Sequence, residues 1–533
     1  MKTIAGPAAL GLGLIVVMTG LGLWTGGLYA TRYEGDMLHL VDMILRVAAG
    51  DIPHRDFMTP LGILSVWPIS IFVTLGVGVG KAIMLGQGLV ALVLLPLTVW
   101  VAISRFEGWL RYAFTALVCV FVLAIVHGGT DAQISLSMHY NRWAWALAFV
   151  ALPVAMLPPL RDAPLWDAAA MGLPLAALVL IKLTYVIALV PAIVVLLLAR
   201  RMYAQLGWGV AIGVAVLAAF TLWSGIGYWA NYATDLLTTA TSELRAFPGL
   251  SLSALLTGPL YLGAHLAALG AIIVLRRGGA ETLGLGLLIL LPGFIYITYQ
   301  NFGNDAQWMV LLGLVLWQTL PRMTDAGMRQ AAFAIAIALL AFGTPLALNI
   351  AISPVRHASS IKEDFALMFP SSAQHDDFLT NTFRANLLNV QIPGEERMPL
   401  FAEYEALGDR EEEPGAINGE ALPRCGVQLG TIAYFEGLAQ DLQTAGYGDA
   451  RILVADLLSA LWMFGDGFPP LPGAAPWRYG GAPGLPAAEY VLVPLCAINE
   501  AARTGILTAI DEAGVSLTEV HRTNAYILLE KDA

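Results

Sequence analysis

Acidic side chains are concentrated where the chain first becomes polar. The stretch "YEGDMLHLVDMILRVAAGDIPHRDF" follows an uncharged apolar segment and begins with Glu34 and Asp36. A carboxylate so close to a membrane edge is costly unless a cavity or a partner receives it. Such a group can act as a general base toward a hydroxyl or an amine. Asp36 and its neighbour Glu34 are therefore candidates for such a base, together with Asp131 of the next polar stretch, "HGGTDAQISLSMHYNRW".

Other polar residues could bind a substrate that has an anionic group. Negative charge accumulates on a departing anionic group such as a phosphate, so cations are needed beside it. Basic side chains could meet this need, hydroxyl and imidazole groups beside them could add hydrogen bonds, and "TYQNFGNDAQW" could bind sugar hydroxyls. The predicted substrate-binding residues are His54, Arg55, His139, Tyr140, Arg142, Lys182, Asn304 and Asp305.

Simple structural explanations compete with these roles. Lys182 could extend its ammonium group to the membrane interface, and Arg142 could be an interface anchor beside Trp143. The stretch that contains Asn304 could be an ordinary turn built on Gly303. The charges that follow residue 50 could simply solvate a loop. These alternatives remain open at the level of sequence.

The composition is that of an integral membrane protein. Of 533 residues, 58% are hydrophobic and 13% are charged, and the mean hydropathy is +0.70. Residues 353–533 hold 11 basic and 25 acidic side chains, a net charge of −14, whereas the preceding part has a net charge of +3. This acidic excess excludes a nucleic acid partner, which requires a basic surface. The sequence contains no zinc motif, phosphate loop or dinucleotide fingerprint.

Apolar segments of suitable length recur through the first 352 residues. Basic residues are retained on the cytoplasmic side of a membrane, and they place the N-terminus inside. The predicted spans lie near 8–30, 82–104, 112–127, 143–160, 166–181, 183–199, 206–227, 256–275, 283–299, 306–320 and 330–352. The inside loops then hold Lys2, Arg105, Arg111, Arg161, Arg200, Arg201, Arg276, Arg277, Arg322 and Arg329.

Two segments of the first external loop are predicted to lie at the interface. Residues 36–49 combine a polar and an apolar stripe, which favours an amphipathic helix that Gly50 ends. Residues 59–80 contain Pro68 and four glycines and are a poor straight span. If they crossed, Arg105 and Arg161 would move outside, so we expect this segment to lie along the membrane or to re-enter it.

The tail is predicted to be a separate external domain. Helical and strand patterns alternate after residue 430, which favours a small α/β domain over the external mouth. Cys425 and Cys496 lie in it, and they could form a disulfide if that compartment is oxidising. The predicted fold is therefore a polytopic α-helical membrane protein with about 11 transmembrane helices (1–352) and a C-terminal α/β extracytoplasmic domain (353–533).

The first loop resembles a known superfamily. An acidic pair followed by "GDIPHRDFMTPLG" is similar to the glycosyltransferase-C superfamily, in particular its protein O-mannosyltransferase and aminoarabinose transferase-like branch. The resemblance covers residues 1–352. It implies that Asp36 is the catalytic carboxylate, that Glu34 is its neighbour and that Asp131 is the second carboxylate. One departure is Thr59, because some members carry a lysine before the proline that follows.

The resemblance also implies substrates and a location. The donor would be a sugar on a polyprenyl phosphate, the acceptor a lipid or a glycan, and the location the outer face of a bacterial inner membrane among its lipids. No cofactor is certain, although a divalent cation between Asp36 and Asp131 is conceivable because some members use one. An inverting glycosyltransferase is the expected function. The alternatives are a polysaccharide polymerase or ligase, a transporter of lipid-linked sugars, or a receptor-like sensor.

Overall fold

The computed structural model is mainly helical up to residue 358 and contains most of its strands beyond it. It describes residues 2–244, 249–300, 305–360, 364–391, 415–417 and 419–532. The helices of the first part are α1 (Lys2–Trp24), α2 (Glu34–Ala49), α3 (Trp67–Thr74), α4 (Val79–Arg105), α5 (Leu110–Leu123), α6 (His139–Met156), α7 (Pro164–Val179), α8 (Leu183–Ala199), α9 (Tyr203–Ser224), α10 (Gly227–Ala240), α11 (Leu252–Thr257), α12 (Pro259–Arg277), α13 (Glu281–Gln300), α14 (Trp308–Thr319) and α15 (Ala326–Ala358).

A helix occupies the position of every predicted span. Among the described residues, six helices are long and apolar enough to cross a membrane, namely α1, α4, α9, α12, α13 and α15. The apolar helices α5, α7 and α8 are shorter. Helix α6 is buried along its whole length, so it lies in the centre of the bundle. The chain is therefore a helical membrane protein, and crossing by the shorter helices stays a prediction.

Close helix packing depends on small residues. A Cβ atom on Gly172 of α7 would lie 2.4 Å from the carbonyl oxygen of Gly209 in α9. Only glycine permits this close approach of the two backbones. Within a membrane, such packing stabilises a helix pair where water supplies no hydrophobic driving force. The contact matters for the site because α7 leads directly into the Lys182 turn.

Several residues predicted for the inside loops gather at one end of the bundle. Arg105 forms a 2.6 Å ion pair with Asp167, and both side chains are fully buried. The guanidinium of Arg200 donates to the carbonyl oxygen of Met156 at the end of α6. Arg200 also lies within electrostatic range of Arg105 and Arg322. The ends of α4, α6 and α8 thus meet, and their location on the cytoplasmic side stays a prediction.

The first loop contains the two expected helical segments, but α2 does not lie against lipid. Helix α3 has eight residues and a length of about 12 Å, too short to cross a bilayer. The polar side of α2 faces the tail instead of solvent. Asp42 accepts hydrogen bonds from Ser459 and Trp462, and Arg46 donates to the carbonyl oxygen of Leu471. Burial against protein therefore replaces the predicted interfacial position.

The tail forms an α/β domain around a four-stranded sheet of order β10-β11-β9-β8, in which β8 and β9 are parallel and the other pairs antiparallel. The strands of the described chain, of which only β1 precedes the tail, are β1 (Leu28–Ala30), β2 (Phe365–Leu367), β3 (Phe378–Asn381), β4 (Asn389–Gln391), β5 (Ala416–Ile417), β6 (Glu420–Ala421), β7 (Gly426–Leu429), β8 (Ile452–Val454), β9 (Tyr490–Pro494), β10 (Leu517–Arg522) and β11 (Tyr526–Lys531). The helices are α16 (Thr382–Asn386), α17 (Thr431–Thr444) and α18 (Glu500–Glu512).

The two parts of the chain are joined at a second, three-stranded sheet of order β1-β3-β2. Strand β1, which follows the first long helix, pairs in parallel with β3 of the tail. The carboxylate of Asp377 accepts hydrogen bonds from the backbone N–H groups of Gly80 and Lys81 at the start of α4. Helix α15 continues to Ala358, so the boundary predicted at 352 falls inside a helix. Cys425 and Cys496 form the disulfide whose possibility the sequence raised.

Candidate functional site

A loop between α5 and α6, residues 124–138, forms the centre of the site. The buried guanidinium of Arg142, in α6, donates to the carbonyl oxygens of Val126, His127 (3.0 Å) and Ala124 (3.0 Å). Three carbonyl oxygens from one short loop therefore converge on one cation. This geometry makes Arg142 a support of the 124–138 loop, which differs from the predicted phosphate contact.

The last long helix holds the same loop from the side. The amide of Asn349 donates to the carbonyl oxygens of Gly129 at 3.1 Å and Asp131 at 2.7 Å. Arg356, about two helical turns further on, donates to the carbonyl oxygen of Ala132 at 3.1 Å. The loop conformation is thus fixed by side chains from two helices, which is how irregular backbone is satisfied near a membrane.

One network connects the two predicted catalytic carboxylates, Asp36 and Asp131. Ser137 Oγ donates to Asp36 Oδ2 at 2.7 Å, and His127 Nδ1 lies 2.9 Å from the same hydroxyl. The ring of Tyr33 stacks on His127 with centroids 4.1 Å apart. The hydroxyl of Tyr33 donates to Asp131 Oδ2 at 2.6 Å. The first loop and the 124–138 loop therefore present both carboxylates together.

Burial sets the protonation state of the two rings in this network. Burial, reinforced by the hydrogen bond to Asp131, raises the pKa of Tyr33 to about 12. Burial also lowers the pKa of His127 to about 4, and the nearby guanidinium of Arg142 lowers it further. At neutral pH Tyr33 is a hydrogen-bond donor and His127 is a neutral imidazole.

Lys182 lies beside the first residues of α6, which follow the 124–138 loop. It occupies the turn between α7 and α8, and its Nζ donates to Asn141 Oδ1 at 3.2 Å. The ammonium also lies 5.0 Å from the centre of the Tyr140 ring, within the range of a cation–π contact. The structure thus brings the predicted residues Lys182 and Tyr140 together at the start of α6.

Asp305 packs against the other side of the 124–138 loop. Its carboxylate accepts a 2.6 Å hydrogen bond from the hydroxyl of Tyr261. A Cβ atom on Gly129 would lie 2.4 Å from Asp305 Oδ2, so the carboxylate directly contacts the loop backbone. Asp305 therefore borders the predicted site. Its predicted partner Asn304 lies outside the described residues.

His139 is a structural neighbour of the site. Its Nε2 lies 2.7 Å from the carbonyl oxygen of Ser65, and its Nδ1 lies 3.2 Å from that of Leu136. The side chain is fully buried at the start of α6. Its contacts connect the two external loops and do not involve Asp36 or Asp131.

Glu34 is directed toward the tail. Its carboxylate accepts hydrogen bonds from Nε and Nη2 of Arg384 at 2.6 and 2.9 Å. The hydroxyl of Thr380 lies 3.5 Å from the same carboxylate. These contacts make Glu34 a docking residue, in contrast to its predicted place in the catalytic pair.

His54 and Arg55 form a separate group. His54 Nδ1 lies 2.7 Å from Asp235 Oδ2, and its ring stacks on Tyr232 with a centroid distance of 4.3 Å. Arg55 is exposed and pairs with Asp56 at 2.8 Å. Their described contacts connect the first loop to α10 and involve none of the residues around Asp36. The predicted grouping of His54 and Arg55 with Arg142 and Lys182 is therefore not observed.

The sequence interpretation missed three members of the network, Tyr33, His127 and Ser137. A usable signal was present in "QISLSMHY", where Gln133, Ser135, Ser137 and His139 alternate with apolar residues. Alternation at the mouth of a bundle directs polar side chains to one side. His127 gave a second signal, since it is a titratable residue at the very end of the predicted apolar span 112–127.

In the described part of the chain no group of three or more His, Cys, Asp or Glu side chains could hold a metal ion. A divalent cation between Asp36 and Asp131 therefore stays a prediction for which no third such ligand is described. Comparison of the chain with protein-family models, curated proteins and solved structures gives no significant match.

Proposed function

We propose that this protein is an inverting glycosyltransferase that uses a polyprenyl-phosphate-linked sugar. The observation that carries the proposal is the network that joins Asp36 and Asp131 at one end of an apolar helical bundle. Two carboxylates from different loops are connected there through Ser137, His127 and Tyr33, opposite the end where Arg105 and Arg200 lie. A site of this kind suits a reaction between a membrane-embedded donor and an acceptor outside the bilayer.

In the proposed reaction Asp36 is the general base. The acceptor oxygen or nitrogen attacks the anomeric carbon and forms the new glycosidic bond, while the bond from that carbon to the phosphate oxygen breaks. The electron pair leaves with the polyprenyl phosphate, and the acceptor proton passes to the carboxylate of Asp36. Attack from the face opposite the phosphate inverts the anomeric centre. Asp131 assists by holding Tyr33 in position.

Lys182 is the residue we assign to the phosphate. Its ammonium lies beside the turn between α7 and α8, where contacts with Asn141 and the Tyr140 ring orient it. An ammonium stabilises the negative charge that accumulates on the departing phosphate. We do not assign Arg142 to the phosphate, because its guanidinium donates to three backbone carbonyl oxygens.

An apolar cleft below Lys182 supports a lipid-linked donor. The cleft lies between α7, α8 and α9, has a volume of about 210 Å³ and includes Val179 and Val186 on either side of the turn. Its lining is almost entirely aliphatic, so it fits part of a hydrocarbon chain and excludes a polar ligand. A carrier with its tail in this cleft would bring its phosphate toward Lys182.

The disulfide and the basic loops support an external location. Disulfides persist in oxidising compartments such as the periplasm, and Cys425 and Cys496 lie in the domain that covers the first loop. Arg105 and Arg200, which are predicted for inside loops, lie near each other at the opposite end of the bundle. These observations support our proposal that the site lies on the periplasmic face of a bacterial inner membrane, with a lipid or glycan acceptor supplied from that side.

Reconstitution in proteoliposomes tests this function. The purified protein is supplied with polyprenyl phosphates that carry radiolabelled mannose or aminoarabinose, together with membrane lipid and glycan acceptors. We expect label to move to an acceptor and an equal amount of polyprenyl phosphate to be released. Label that crosses the bilayer but stays on its carrier would show a transporter instead.

A pair of lysine variants examines the phosphate assignment. Lys182→Met should raise the KM for the donor about tenfold or more, because one charge-assisted contact is lost. Lys81→Met is the matched control, since Lys81 lies at the start of α4 and its backbone N–H, which the substitution retains, contacts Asp377. Equal KM values for the two variants would remove Lys182 from the phosphate site.

A further inference from the structure

The hydroxyl of Ser137 is the central contact of the Asp36 network. It donates to Asp36 Oδ2 at 2.7 Å, and the imidazole Nδ1 of His127 lies 2.9 Å from the same oxygen. A hydroxyl has one proton to donate. If that proton is directed to the Asp36 carboxylate, the hydroxyl oxygen can only accept from His127, so Nδ1 must carry a proton.

Both supporting residues are held rigidly. Ser137 is fully buried and His127 is 2% exposed. The ring of Tyr33 covers one face of the imidazole at 4.1 Å. The carbonyl oxygen of His127 itself accepts from Arg142 at 3.0 Å. A residue held by packing and by backbone contacts can transmit a fixed geometry to the group it touches.

We propose that His127 and Ser137 are positioning residues that fix the orientation of the Asp36 carboxylate and favour its ionised form. This inference rests on the proposed function for its catalytic meaning. His127 donates from Nδ1 to Ser137, and Ser137 donates to Asp36. Neither residue takes the proton during the reaction.

The charged groups around the network agree with this arrangement. The positive charges of Arg142 and Arg32 lower the pKa of His127, and the negative charge of Asp131 raises it. Burial and Arg142 together keep the imidazole neutral. A neutral ring with Nδ1 protonated is the state that the Ser137 geometry requires, so electrostatics and hydrogen bonding lead to the same tautomer.

Kinetics of the full-length protein in proteoliposomes test the proposal. Ser137→Ala should lower kcat about 10- to 100-fold and leave the donor KM unchanged, because a hydrogen bond to a charged group is lost. The acid limb of the pH profile should move upward by about one pH unit, since the ionised carboxylate loses a donor. Ser137→Thr keeps the hydroxyl and should restore most of the activity.

Two His127 variants separate positioning from simple packing. The side-chain amide of His127→Asn can replace Nδ1, whereas that of His127→Gln extends toward the Nε2 position. We expect His127→Asn to keep at least a tenth of the wild-type kcat and His127→Gln to lose more. Equal losses in both, with unchanged pH profiles, would mean that His127 only fills space and would overturn the proposal.

A spectroscopic measurement keeps this proposal distinct from the proposed function. In protein labelled with ¹⁵N-histidine, the resonances absent from His127→Asn belong to His127. We expect a protonated Nδ1 and an unprotonated Nε2 at neutral pH, with a change in the Nδ1 resonance in Ser137→Ala. The opposite tautomer would overturn the positioning network even if sugar transfer occurs. The expected tautomer in a protein without transfer activity would retain the network and refute the enzymatic function.

Discussion

The carboxylate of Glu34 and the guanidinium of Arg384 meet in a two-point hydrogen-bonded ion pair, with distances of 2.6 and 2.9 Å. Glu34 begins α2 of the membrane part, and Arg384 lies in α16 of the tail. The pair therefore fixes the external domain directly above the helix that carries Asp36.

Removing this pair should loosen the domain contact. Arg384→Ala should destabilise the protein by about 2 kcal/mol, because the 7% exposed carboxylate of Glu34 loses a charge-assisted partner. Thermal unfolding followed by tryptophan fluorescence measures the change. Arg451→Ala is the control, since Arg451 and Glu489 form an ion pair exposed by nearly half, which should contribute less than about 1 kcal/mol. Equal effects of the two variants would show that Glu34 does not anchor the domain.

The disulfide should be a major source of stability for the tail. The two cysteines are separated by 71 residues, and closing a loop of that size stabilises a fold by ~4 kcal/mol in the chain-entropy treatment. Cys425→Ala should lower the melting temperature as strongly as reduction of the native protein does. Alkylation and mass spectrometry of protein from intact cells should find Cys119 as a thiol and the other two blocked. Three free thiols would place the tail in a reducing compartment.

Arg142 distinguishes support of the loop from binding of phosphate. Arg142→Lys keeps the charge but cannot reach all three carbonyl oxygens, so we expect a loss of about 2 kcal/mol or more together with reduced transfer. Melting temperature and transfer rate are measured on the same preparation. A variant of normal stability whose donor KM alone rises would restore the original phosphate-binding interpretation.

His39, whose ring centre lies 5.8 Å from that of Trp477 in the tail, should make the contact between α2 and the tail sensitive to acid. Burial lowers the pKa of His39 from 6.5 to about 4, so the undocked state binds the proton more strongly than the native state. Stability from this group is present above pH 6.5 and is lost as the pH falls toward 4, by up to about 3 kcal/mol. The melting temperature of His39→Leu should fall less between pH 7 and 4.5 than that of the wild type. His521→Gln serves as the control, and identical pH slopes in wild type and His39→Leu would contradict the prediction.

Sequence reasoning predicted the helical bundle well because apolar length and basic loops depend on local composition. It did not predict the contact between Glu34 and the tail, for a geometric reason. Glu34 and Asp36 are adjacent acids in the sequence, but positions two apart on a helix point about 200° away from each other. One therefore reaches Arg384 of the tail and the other reaches Ser137.

Long-range partners explain the remaining differences. His54 was grouped with Arg142 because both are external, yet Asp235 of α10 lies 2.7 Å from its ring nitrogen. The contact of Arg142 with three backbone carbonyl oxygens could not be predicted from the sequence, because every residue has a carbonyl group. Lys182 and Tyr140 were each predicted as substrate-binding residues, but their 5.0 Å contact depends on the packing of α6 against α8.

The central claim is that Asp36 removes the acceptor proton, and a single-turnover assay tests it most directly. Asp36→Asn keeps the size of the side chain and can still accept from Ser137, so folding should be preserved. With saturating polyprenyl-phosphate sugar and acceptor, we expect a rate at least 10²-fold below that of the wild type. The control Asp51→Asn, in the same loop, should keep nearly full activity. Transfer by Asp36→Asn at the wild-type rate would contradict the account.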